Sequence, residues 1–437
     1  MTDVTADEPP VLADLRWRGL VQDSTDQAAL ARALGSGPVT FYCGFDPTAP
    51  SLHVGHLLQV LTMRRLQLAG HRPLALVGGA TGLVGDPKPT AERALVDEQT
   101  AAGWAQRLRG QLAPFFDFDG PAAARLVDNL EWTAGLSAIS FLRDVGKHFS
   151  VNRMLDRDAV SRRLDSATGI SYTEFSYVLL QSNDYVELRR RYDCRLQIGG
   201  SDQWGNISAG VELVRRVDQQ HVHAFTTPLL VKSDGTKYGK TESGTLWLDP
   251  SMTSPYAFYQ YWFNVDDADV GMLLRRLTFL PADTIGELES ATVHSPAQRQ
   301  AQRVLAAEVT QLVHGTAAVE QARRASAALF GSASLHELDP ATLEAALRTV
   351  PNAEARSGAG STEGRHTYAD LAVLTGLVPS KGAARRTVAE GGLYANNERV
   401  TDADEPVDLA RCLHGRWLVL RRGRRSVAGV DLHQTSA

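Results

Sequence analysis

The chain has 437 residues, 22% of them charged and 43% hydrophobic, and carries a formal net charge of −5. This length allows several domains with a large core, and the acidic balance argues against nucleic-acid binding by the surface as a whole. Three cysteines without metal-ligand spacing argue against zinc sites and disulfides and fit a reducing cytoplasm, and the lack of a long apolar run predicts no membrane segment.

A βαβ unit is predicted near the N-terminus, after a helical segment over 1–36 whose leading helix spans 11–36. The unit begins with an apolar strand around Val39–Cys43, continues with a helix after His53, and ends with a second strand at Pro73–Val77. Such a unit places its ligand site in the loop that leaves the first strand.

That loop carries groups suited to a nucleotide. The N-terminus of the following helix offers N–H groups to a phosphate, and Gly55 leaves room for a close approach. His53 and His56 can donate hydrogen bonds to phosphate or ribose oxygens. Taken alone, the tetrapeptide His-Val-Gly-His fits two ordinary capping histidines equally well.

A glycine-rich loop follows the second strand, at Gly78–Pro87, with Asp86 as its single charge. Because it falls at the carboxyl end of a predicted parallel strand, we expect this loop to hold a ligand, and an aspartate there could accept from an α-ammonium group. A plain turn with an Asx cap is the alternative. Residues 93–165 are predicted to be mostly helical, and residue types alone indicate a covering layer.

A polar line is predicted on the helix that opens at Ser171. Tyr177, Gln181 and Asp184 stand at i, i+4 and i+7 and so share one face. Their polar groups are costly to bury without partners, and bulky apolar residues surround them, which favours the wall of a polar pocket. A solvated helix face is the alternative.

Two further strands are predicted, Cys194–Ile198 and Pro228–Val231, each followed by a glycine-containing loop. In the first loop, Asp202 could bind ribose hydroxyls or simply cap a helix. The second loop, Lys232–Gly244, carries two lysines and a threonine on a glycine-spaced segment, which suits a clamp for a polyphosphate. As an isolated string it would fit a solvated loop.

The remainder of the chain is predicted to form a helical domain over 251–350, a flexible linker over 351–365 and a small last domain over 366–437. The last domain has a small excess of basic residues, whereas the rest of the chain is acidic. Its Lys381, Arg385 and Arg386 lie at helical spacing and could meet RNA phosphates.

Several of these stretches resemble one family. The string Phe41–His56 is similar to tyrosyl-tRNA synthetases, which are class I aminoacyl-tRNA synthetases. Four further stretches carry the resemblance: the tyrosine-binding helix at Tyr172–Gln181, the loop Gly199–Asn206, the lysine loop at Lys237–Thr241, and an S4-type RNA-binding module at Val378–Asn397. The resemblance covers nearly the whole chain. It implies an α/β fold in which a Rossmann-like parallel-sheet catalytic domain (37–250) with a helical insertion (about 93–165) precedes a helical anticodon-recognition domain (251–350) and a small α+β S4-like domain (366–437).

The resemblance implies a bacterial-type tyrosine–tRNA ligase. Such an enzyme activates L-tyrosine with ATP to tyrosyl-adenylate and diphosphate, and then transfers the tyrosyl group to the 3′-terminal adenosine of tRNA(Tyr). We expect Mg²⁺ to accompany ATP without a metal site on the protein, and a homodimer to form. The implied tyrosine pocket consists of Tyr42, Asp86, Tyr177, Gln181, Asp184, Gln197 and Gln203. The implied ATP site consists of Cys43, Gly44, Asp46, Thr48, His53, Gly55, His56, Gly200, Asp202, Lys237 and Lys240. The implied catalytic set consists of Thr48, His53, His56, Lys237, Lys240 and Thr241.

The sequence departs from the family pattern after Asp86, where Lys88-Pro89-Thr90 replaces the usual Ser-Gly-Lys, so we assign Lys88 no catalytic role. Gln59 occupies a variable position and is also assigned nothing. By the resemblance, the insertion containing Asn129 and Trp132 forms the dimer face and helps to hold the acceptor end of tRNA. Two alternatives remain: a related nucleotidyltransferase, of which a tryptophanyl enzyme is the nearest version, and a non-enzymatic RNA-binding protein.

Overall fold

The structure is a computed structural model that describes residues 8–87, 96–164, 169–241, 244–331, 333–357, 366–423 and 426–434. The chain divides into two compact units. The first comprises Met1–Met252 and Asp267–His294, and the second comprises Thr253–Asp266 and Ser295–Ala437.

Helices occur in both units. In chain order they are α1 (Pro10–Trp17), α2 (Gln27–Gly35), α3 (Val54–Leu68), α4 (Thr81–Val84), α5 (Glu98–Leu112), α6 (Leu130–Thr133), α7 (Ala138–Ser140), α8 (Val151–Leu155), α9 (Asp158–Leu164), α10 (Tyr172–Tyr192), α11 (Trp204–Asp218), α12 (Pro255–Phe263), α13 (Asp267–Leu277), α14 (Ala282–His294), α15 (Gln300–His314), α16 (Thr316–Phe330), α17 (Pro340–Leu347), α18 (Tyr368–Leu374) and α19 (Lys381–Ala389). Short 3₁₀ turns and a π-helical turn at Phe141–Val145 lie between some of them.

The strands form one sheet in each unit and a small hairpin. In chain order they are β1 (Thr40–Phe45), β2 (Arg72–Val77), β3 (Arg125–Asp128), β4 (Cys194–Gly200), β5 (His223–Thr227), β6 (Lys240–Thr241), β7 (Gly244–Thr245), β8 (Asn352–Ser357), β9 (Leu393–Ala395), β10 (Glu398–Arg399), β11 (Trp417–Arg422) and β12 (Ser426–Gln434).

The sheet of the first unit is parallel, with the order β3-β2-β1-β4-β5. Its central strands are apolar and buried, as expected for a parallel sheet covered on both faces. The order reverses direction between β1 and β4, and ligands bind at such a switch point, beyond the carboxyl ends of the strands. The Rossmann-like α/β prediction is therefore confirmed.

The predicted helix after His53 is confirmed as α3. His53 is its N-cap, and the imidazole Nδ1 accepts from the backbone N–H of Gly55 at 3.0 Å. A side chain at Gly55 would meet the His53 ring, with its Cβ only 2.8 Å from Cε1, so this capping geometry requires glycine. The predicted helix at Ser171 is likewise confirmed as α10, with the Ser171 hydroxyl as its cap.

The predicted leading helix over 11–36 is wrong, because this segment forms two helices, α1 and α2. Gly19, two residues after the end of α1, has a positive φ of 67°, and this backbone conformation prevents the helix from continuing. The residues after it run along β5, where the Gln22 N–H donates to Thr226 O at 2.8 Å and Thr25 N–H donates to Ala224 O at 2.9 Å. Tertiary pairing at the sheet edge therefore overrides local helix propensity.

One strand was missed by the prediction and another was placed too late. Residues 93–165, predicted to be mostly helical, also contain β3, which pairs with β2 at the edge of the sheet. The last parallel strand is β5, whereas the prediction placed it at Pro228–Val231. Proline has no N–H to donate, so Pro228 ends the ladder instead of opening it.

The predicted helical domain over 251–350 is divided, because α13 and α14 belong to the first unit. Two arginines with buried side chains hold α13 there. Arg18 donates to the carbonyl oxygens of Arg275 and Thr278, and Arg65 of α3 also donates to Thr278 O. These bonds satisfy carbonyl groups at and just beyond the C-terminus of α13, which have no partner within the helix.

The second unit combines the remaining helices with a sheet of order β10-β9-β11-β12-β8. The linker predicted over 351–365 is wrong for its first half, because β8 pairs in parallel with β12 along six residues, from Asn352–Gly429 to Ser357–Gln434. Ala355 is buried in the apolar cluster of this sheet. Residues 358–365 lie outside the described part of the chain.

Candidate active site

A cavity of about 330 Å³ lies at the switch point of the parallel sheet. The loops that follow β1 and β4 contribute to its walls, together with the glycine-rich loop after β2 and the face of α10. Sixteen of the predicted site residues line it: Tyr42, Cys43, Gly44, Asp46, Thr48, His53, Gly55, His56, Asp86, Tyr177, Gln181, Asp184, Gln197, Gly200, Asp202 and Gln203. The polar line on α10 is therefore a pocket wall and not a solvated face.

Asp46 and Tyr177 form one cluster in this cavity. The Tyr177 hydroxyl donates to Asp46 Oδ2 at 2.8 Å, and the Thr81 hydroxyl donates to Asp46 Oδ1 at 2.7 Å. A Cβ at Gly78 would collide with the same carboxylate, so the glycine-rich loop can approach it only without a side chain. Burial and the nearby Asp46 raise the pKa of Tyr177 well above its ordinary value, so its hydroxyl remains a donor.

Asp184 is 2% exposed and is held by two donors from the loop after β3. Asn129 Nδ2 donates to Oδ2 at 3.0 Å, and Trp132 Nε1 donates to Oδ1 at 2.9 Å. Burial raises the pKa of the Asp184 carboxyl to about 7, although both hydrogen bonds act in the opposite direction. A ligand that donates a hydrogen bond here would favour the carboxylate form.

Four polar atoms of residues that line this cavity have no partner among the described residues. They are the Tyr42 hydroxyl, Gln59 Oε1, Gln181 Oε1 and Gln197 Oε1, all of which are buried. Tyr42 itself is 1% exposed and packs edge-on against Tyr185, with ring centroids 5.2 Å apart. Buried polar groups are normally satisfied, so this set indicates a site that is completed by a polar ligand.

Asp86, at the end of the glycine-rich loop, belongs to a second hydrogen-bond network. Gln203 Nε2 donates to Asp86 Oδ2 at 2.8 Å, and Asn206 Nδ2 donates to Oδ1 at 3.1 Å. Arg157 donates to Asn206 Oδ1 at 2.7 Å, which fixes the amide orientation. Asp86 and Gln203 are thus adjacent, as expected for parts of one binding site.

His53 and His56 stack on each other with their ring centroids 3.9 Å apart. The His53 backbone N–H donates to His56 Nδ1 at 3.2 Å, and the Gly55 N–H donates to His53 Nδ1. A neutral ring whose Nδ1 accepts carries its proton on Nε2. Burial, with a smaller effect from His53, lowers the pKa of His56 well below its ordinary value, so this ring is a neutral donor at pH 7.

The other predicted nucleotide ligands follow β1 and β4. Burial raises the pKa of the Cys43 thiol to about 12, so it remains protonated. Thr48 is exposed at the cavity wall, and Asp202 presents an exposed carboxylate beside Gly200. A Cβ at Gly200 would lie 2.6 Å from Asp202 Oδ1, so glycine is needed for the carboxylate to lie this close to the backbone.

The lysine loop contributes no described side chain to the cavity wall. Lys237 is exposed and does not line the cavity. The side chains of Lys240 and Thr241 lie outside the described part of the molecule. The residues that follow the loop run beside the start of α3. The Val54 N–H donates to Leu246 O at 3.3 Å, and the Leu248 N–H donates to Leu52 O at 2.9 Å.

The predicted RNA-binding residues lie on α19 in the second unit, and all three are exposed. Two of them already form ion pairs. Lys381 Nζ is 2.5 Å from Asp370 Oδ1, and Arg385 pairs with Asp404 at 2.8 Å. Arg386 forms no ion pair within the described residues.

Sequence reasoning missed four side chains that orient the site: Thr81, Asn129, Trp132 and Asn206. Asn129 and Trp132 were assigned by resemblance to a dimer face and to tRNA, whereas they contact Asp184. The available signal was the short apolar run before Asn129. Read as a strand, it places Asn129 at the same carboxyl edge of the sheet as the rest of the cavity.

Among the described residues, no helix is both long enough and apolar enough to cross a membrane. The same residues contain no group of three histidine, cysteine, aspartate or glutamate side chains placed to hold a metal ion.

Comparisons with known proteins agree over almost the whole chain. Residues 35–331 match the model of class I tRNA synthetases (W and Y), and residues 343–428 match the C-terminal domain of SYY-like tyrosine–tRNA ligases. A tyrosine–tRNA ligase of Streptomyces griseus is 59% identical over 97% of this chain and 98% of its own, and one of Kineococcus radiotolerans is 60% identical over 95% and 97%. A crystal structure of a C-terminally truncated mitochondrial tyrosyl-tRNA synthetase from Coccidioides posadasii has a TM-score of 0.63 and 32% identity, covering 71% of this chain and 90% of that one.

Proposed function

The chain belongs to the tyrosine–tRNA ligases of the class I tRNA synthetase family, and on that premise we propose which of its groups carry each step of the reaction. The enzyme activates L-tyrosine with ATP, which yields tyrosyl-adenylate and diphosphate. It then transfers the tyrosyl group to the 3′-terminal adenosine of tRNA(Tyr). The tyrosine carboxylate is itself the nucleophile, so the first step depends on alignment and on stabilising charge at the leaving diphosphate.

Asp184 and Tyr42 bind the substrate phenol. The carboxylate has two of its acceptor positions filled by Asn129 and Trp132, and it retains lone pairs for a third donor. The buried Tyr42 hydroxyl without a partner is the observation that carries this proposal. A phenol that donates to Asp184 and accepts from Tyr42 would satisfy both groups at once.

The α-ammonium group of tyrosine binds at the opposite end of the polar line. Asp86 and the Tyr177–Asp46 pair offer acceptors there, and the buried Gln181 Oε1 has no other described partner. Gln197 and Gln203 complete the wall of this pocket. A cation next to two carboxylates is attracted to them, whereas an anionic substrate would be repelled.

ATP occupies the other half of the cavity. Four residues hold the ribose region. Cys43 presents a thiol and His56 presents a neutral ring N–H, while Gly200 allows a close approach of the backbone and Asp202 presents a carboxylate. His53 and Thr48 contact the phosphates near the N-terminus of α3, where Gly55 also lies, and Gly44 lines the same cavity. Lys237, Lys240 and Thr241 stabilise the diphosphate as it leaves. For Lys237, which is exposed and does not line the cavity, this requires its long side chain to extend toward the bound ATP.

Mg²⁺ enters as part of the ATP substrate. The divalent ion is held by phosphate oxygens and water, as is usual for this cation with nucleotides. The protein then needs no dedicated set of metal ligands.

Binding of tRNA(Tyr) involves the second unit, in which Lys381, Arg385 and Arg386 present cations on one helix. A second copy of the chain covers exposed apolar side chains of the first unit. Ile139, Leu142, Val151 and Tyr172 are 73%, 50%, 58% and 69% exposed within one stretch of chain, which supports a homodimer. Without a membrane-spanning helix in the described residues, and with all three cysteines unpaired, a cytoplasmic location fits best.

Amino-acid-dependent exchange of pyrophosphate into ATP tests these assignments. The enzyme should catalyse exchange with tyrosine and fail with phenylalanine or tryptophan. The variant Asp184→Ala should lose the preference for tyrosine over phenylalanine, because the acceptor for the phenol is gone. Full discrimination in a folded, active Asp184→Ala enzyme would refute the proposed phenol site.

A further inference from the structure

The lysine loop has a specific attachment to α13. Asp269, in the first turn of this helix, is 4% exposed and accepts two hydrogen bonds from the loop. Ser233 N–H donates to Oδ1 at 3.0 Å, and the Tyr238 hydroxyl donates to Oδ2 at 2.5 Å. Neither Asp269 nor Tyr238 touches the cavity, so the chemistry derived above does not account for this contact.

Lys237 and Tyr238 face opposite sides of the lysine loop. Val231 and Lys237 form an antiparallel bridge, and the Tyr238 N–H donates to Leu230 O at 2.9 Å, so the chain is extended at this point. Neighbouring side chains of an extended segment point in opposite directions. Tyr238 is 7% exposed and points inward to Asp269, and Lys237 is therefore exposed on the other side.

The other end of α13 is fixed to the histidine helix. Arg65 of α3 donates to Thr278 O just beyond the C-terminus of α13 and lies over the ring of Phe279 at 4.4 Å. The N-terminal end of α3 carries His53 and His56. Helix α13 therefore contacts the lysine loop through Asp269 near its first residue, and α3, the helix that begins at His53, contacts the chain just after the last residue of α13.

From this geometry we propose that Asp269 is a positioning residue for adenylate formation, which orients Lys237 by holding the Tyr238 hydroxyl and the Ser233 amide. The inference rests on the proposed role of Lys237 at the leaving diphosphate. It adds that the position of this lysine relative to the histidines is set by α13. Asp269 touches no substrate in this scheme, and its effect on the rate is exerted through the lysine loop.

The conservative variant Tyr238→Phe is the sharpest test, because it removes only the hydroxyl that Asp269 holds. In the full-length enzyme it should lower the rate of adenylate formation in a single turnover about tenfold, the effect of one hydrogen bond to a charged group. It should raise KM for diphosphate in the reverse reaction, and leave the Kd for tyrosine within about twofold of the unmodified value. Asp269→Asn should cost at least as much, because an amide cannot accept from both donors.

A control and a double variant separate positioning from general stability. Asp283→Asn makes the same change in the first turn of α14, at an exposed residue, and should leave the rate unchanged. In a Lys237→Ala background, Tyr238→Phe should have almost no further effect, because both variants interrupt the same contact to diphosphate.

The outcomes distinguish the inference from the function on which it rests. If Tyr238→Phe alone retains the unmodified rate, or still costs about tenfold without Lys237, then the positioning role of Asp269 is overturned. If Lys237→Ala retains the full rate, the role of the lysine falls and the inference falls with it. An unmodified enzyme without tyrosine-dependent exchange would overturn the proposed function itself.

Discussion

The indole N–H of Trp132 donates to Asp184 Oδ1 at 2.9 Å, across 52 positions of sequence. Trp132 lies on α6, directly after β3, and Asp184 lies on α10. The aromatic ring also packs in the same apolar cluster as Tyr42 and Tyr185. Asp184, which is proposed to bind the substrate phenol, is therefore oriented by the segment that follows the edge strand β3.

Replacing Trp132 with phenylalanine should weaken this arrangement. The variant keeps an aromatic ring and loses the N–H, so one of the two hydrogen bonds that stabilise the carboxylate disappears. The pKa of Asp184 should rise further above 7, and kcat/KM for tyrosine at pH 7 should fall on the order of tenfold. Steady-state exchange kinetics between pH 6 and 9 measure both effects.

The same change at Trp17 is a suitable control, since this tryptophan is 43% exposed and distant from Asp184 in the sequence. If Trp132→Phe behaved like Trp17→Phe, the indole N–H would have no part in orienting the carboxylate.

Tyr42→Phe should affect the free and the tyrosine-bound enzyme differently. In the free enzyme the Tyr42 hydroxyl is buried without a described partner, so its removal should leave Tm unchanged or slightly raised. With tyrosine bound, the variant loses a hydrogen bond worth about 0.5–1.5 kcal/mol, and the ligand should raise Tm by less than in the unmodified enzyme. Thermal unfolding with and without tyrosine tests this.

Tyr185→Phe is a matched control with the opposite sign. Its hydroxyl donates to His223 O at 2.7 Å, so its removal breaks an existing hydrogen bond and should lower Tm in the free enzyme. Equal effects of the two substitutions on Tm would contradict the assignment of Tyr42.

The raised pKa of Asp184 predicts a pH dependence of stability. Between its ordinary pKa of 3.8 and its folded value of about 7, the folded state binds a proton that the unfolded state has lost. The free energy of unfolding contributed by this residue therefore falls as pH rises through this window, by about 1.4 kcal/mol per pH unit at most. Below pH 4 and above pH 7 the contribution is constant.

Denaturant titrations of the unmodified enzyme and of Asp184→Asn from pH 4 to 8 measure this contribution. The difference in unfolding free energy between the two should change in favour of the variant as pH increases. Addition of tyrosine should reduce the pH dependence, because a bound phenol favours the carboxylate. Parallel curves for the two proteins would show that Asp184 is ionised throughout.

Among the predicted RNA-binding cations, Arg386→Ala should raise KM for tRNA(Tyr) most. Lys381 and Arg385 are already paired with Asp370 and Asp404, so an RNA phosphate must displace a carboxylate before it can bind either of them. Arg386 carries no such cost. The hydrogen bond from Lys381 lowers the pKa of Asp370 to about 2, so that pair persists at neutral pH.

Aminoacylation kinetics with each single variant test this order, and pyrophosphate exchange provides the control, since it needs no tRNA. Exchange should be unchanged in all three variants. A larger effect of Lys381→Ala than of Arg386→Ala on KM for tRNA would show that RNA replaces the carboxylate at little cost.

Local sequence by itself determined the elements that carry the site. The β1–α3 segment, α10 and the loop after β4 each combine an apolar run with glycines or helix caps. Glycines and caps act on the few residues around them, so these predictions are confirmed. Sixteen predicted residues meet in one cavity because parallel strands present their carboxyl ends at a common edge.

Tertiary structure alone decided what holds those residues in place. The division of the leading helix, the strand β3 and the strand β8 all depend on pairing with distant strands, which local propensity does not encode. The contacts of Asn129 and Trp132 with Asp184, and of Asp269 with Tyr238, likewise join segments separated by dozens of residues. A hydrogen bond between two side chains requires both to be brought within about 3 Å, and only the packed fold imposes that distance.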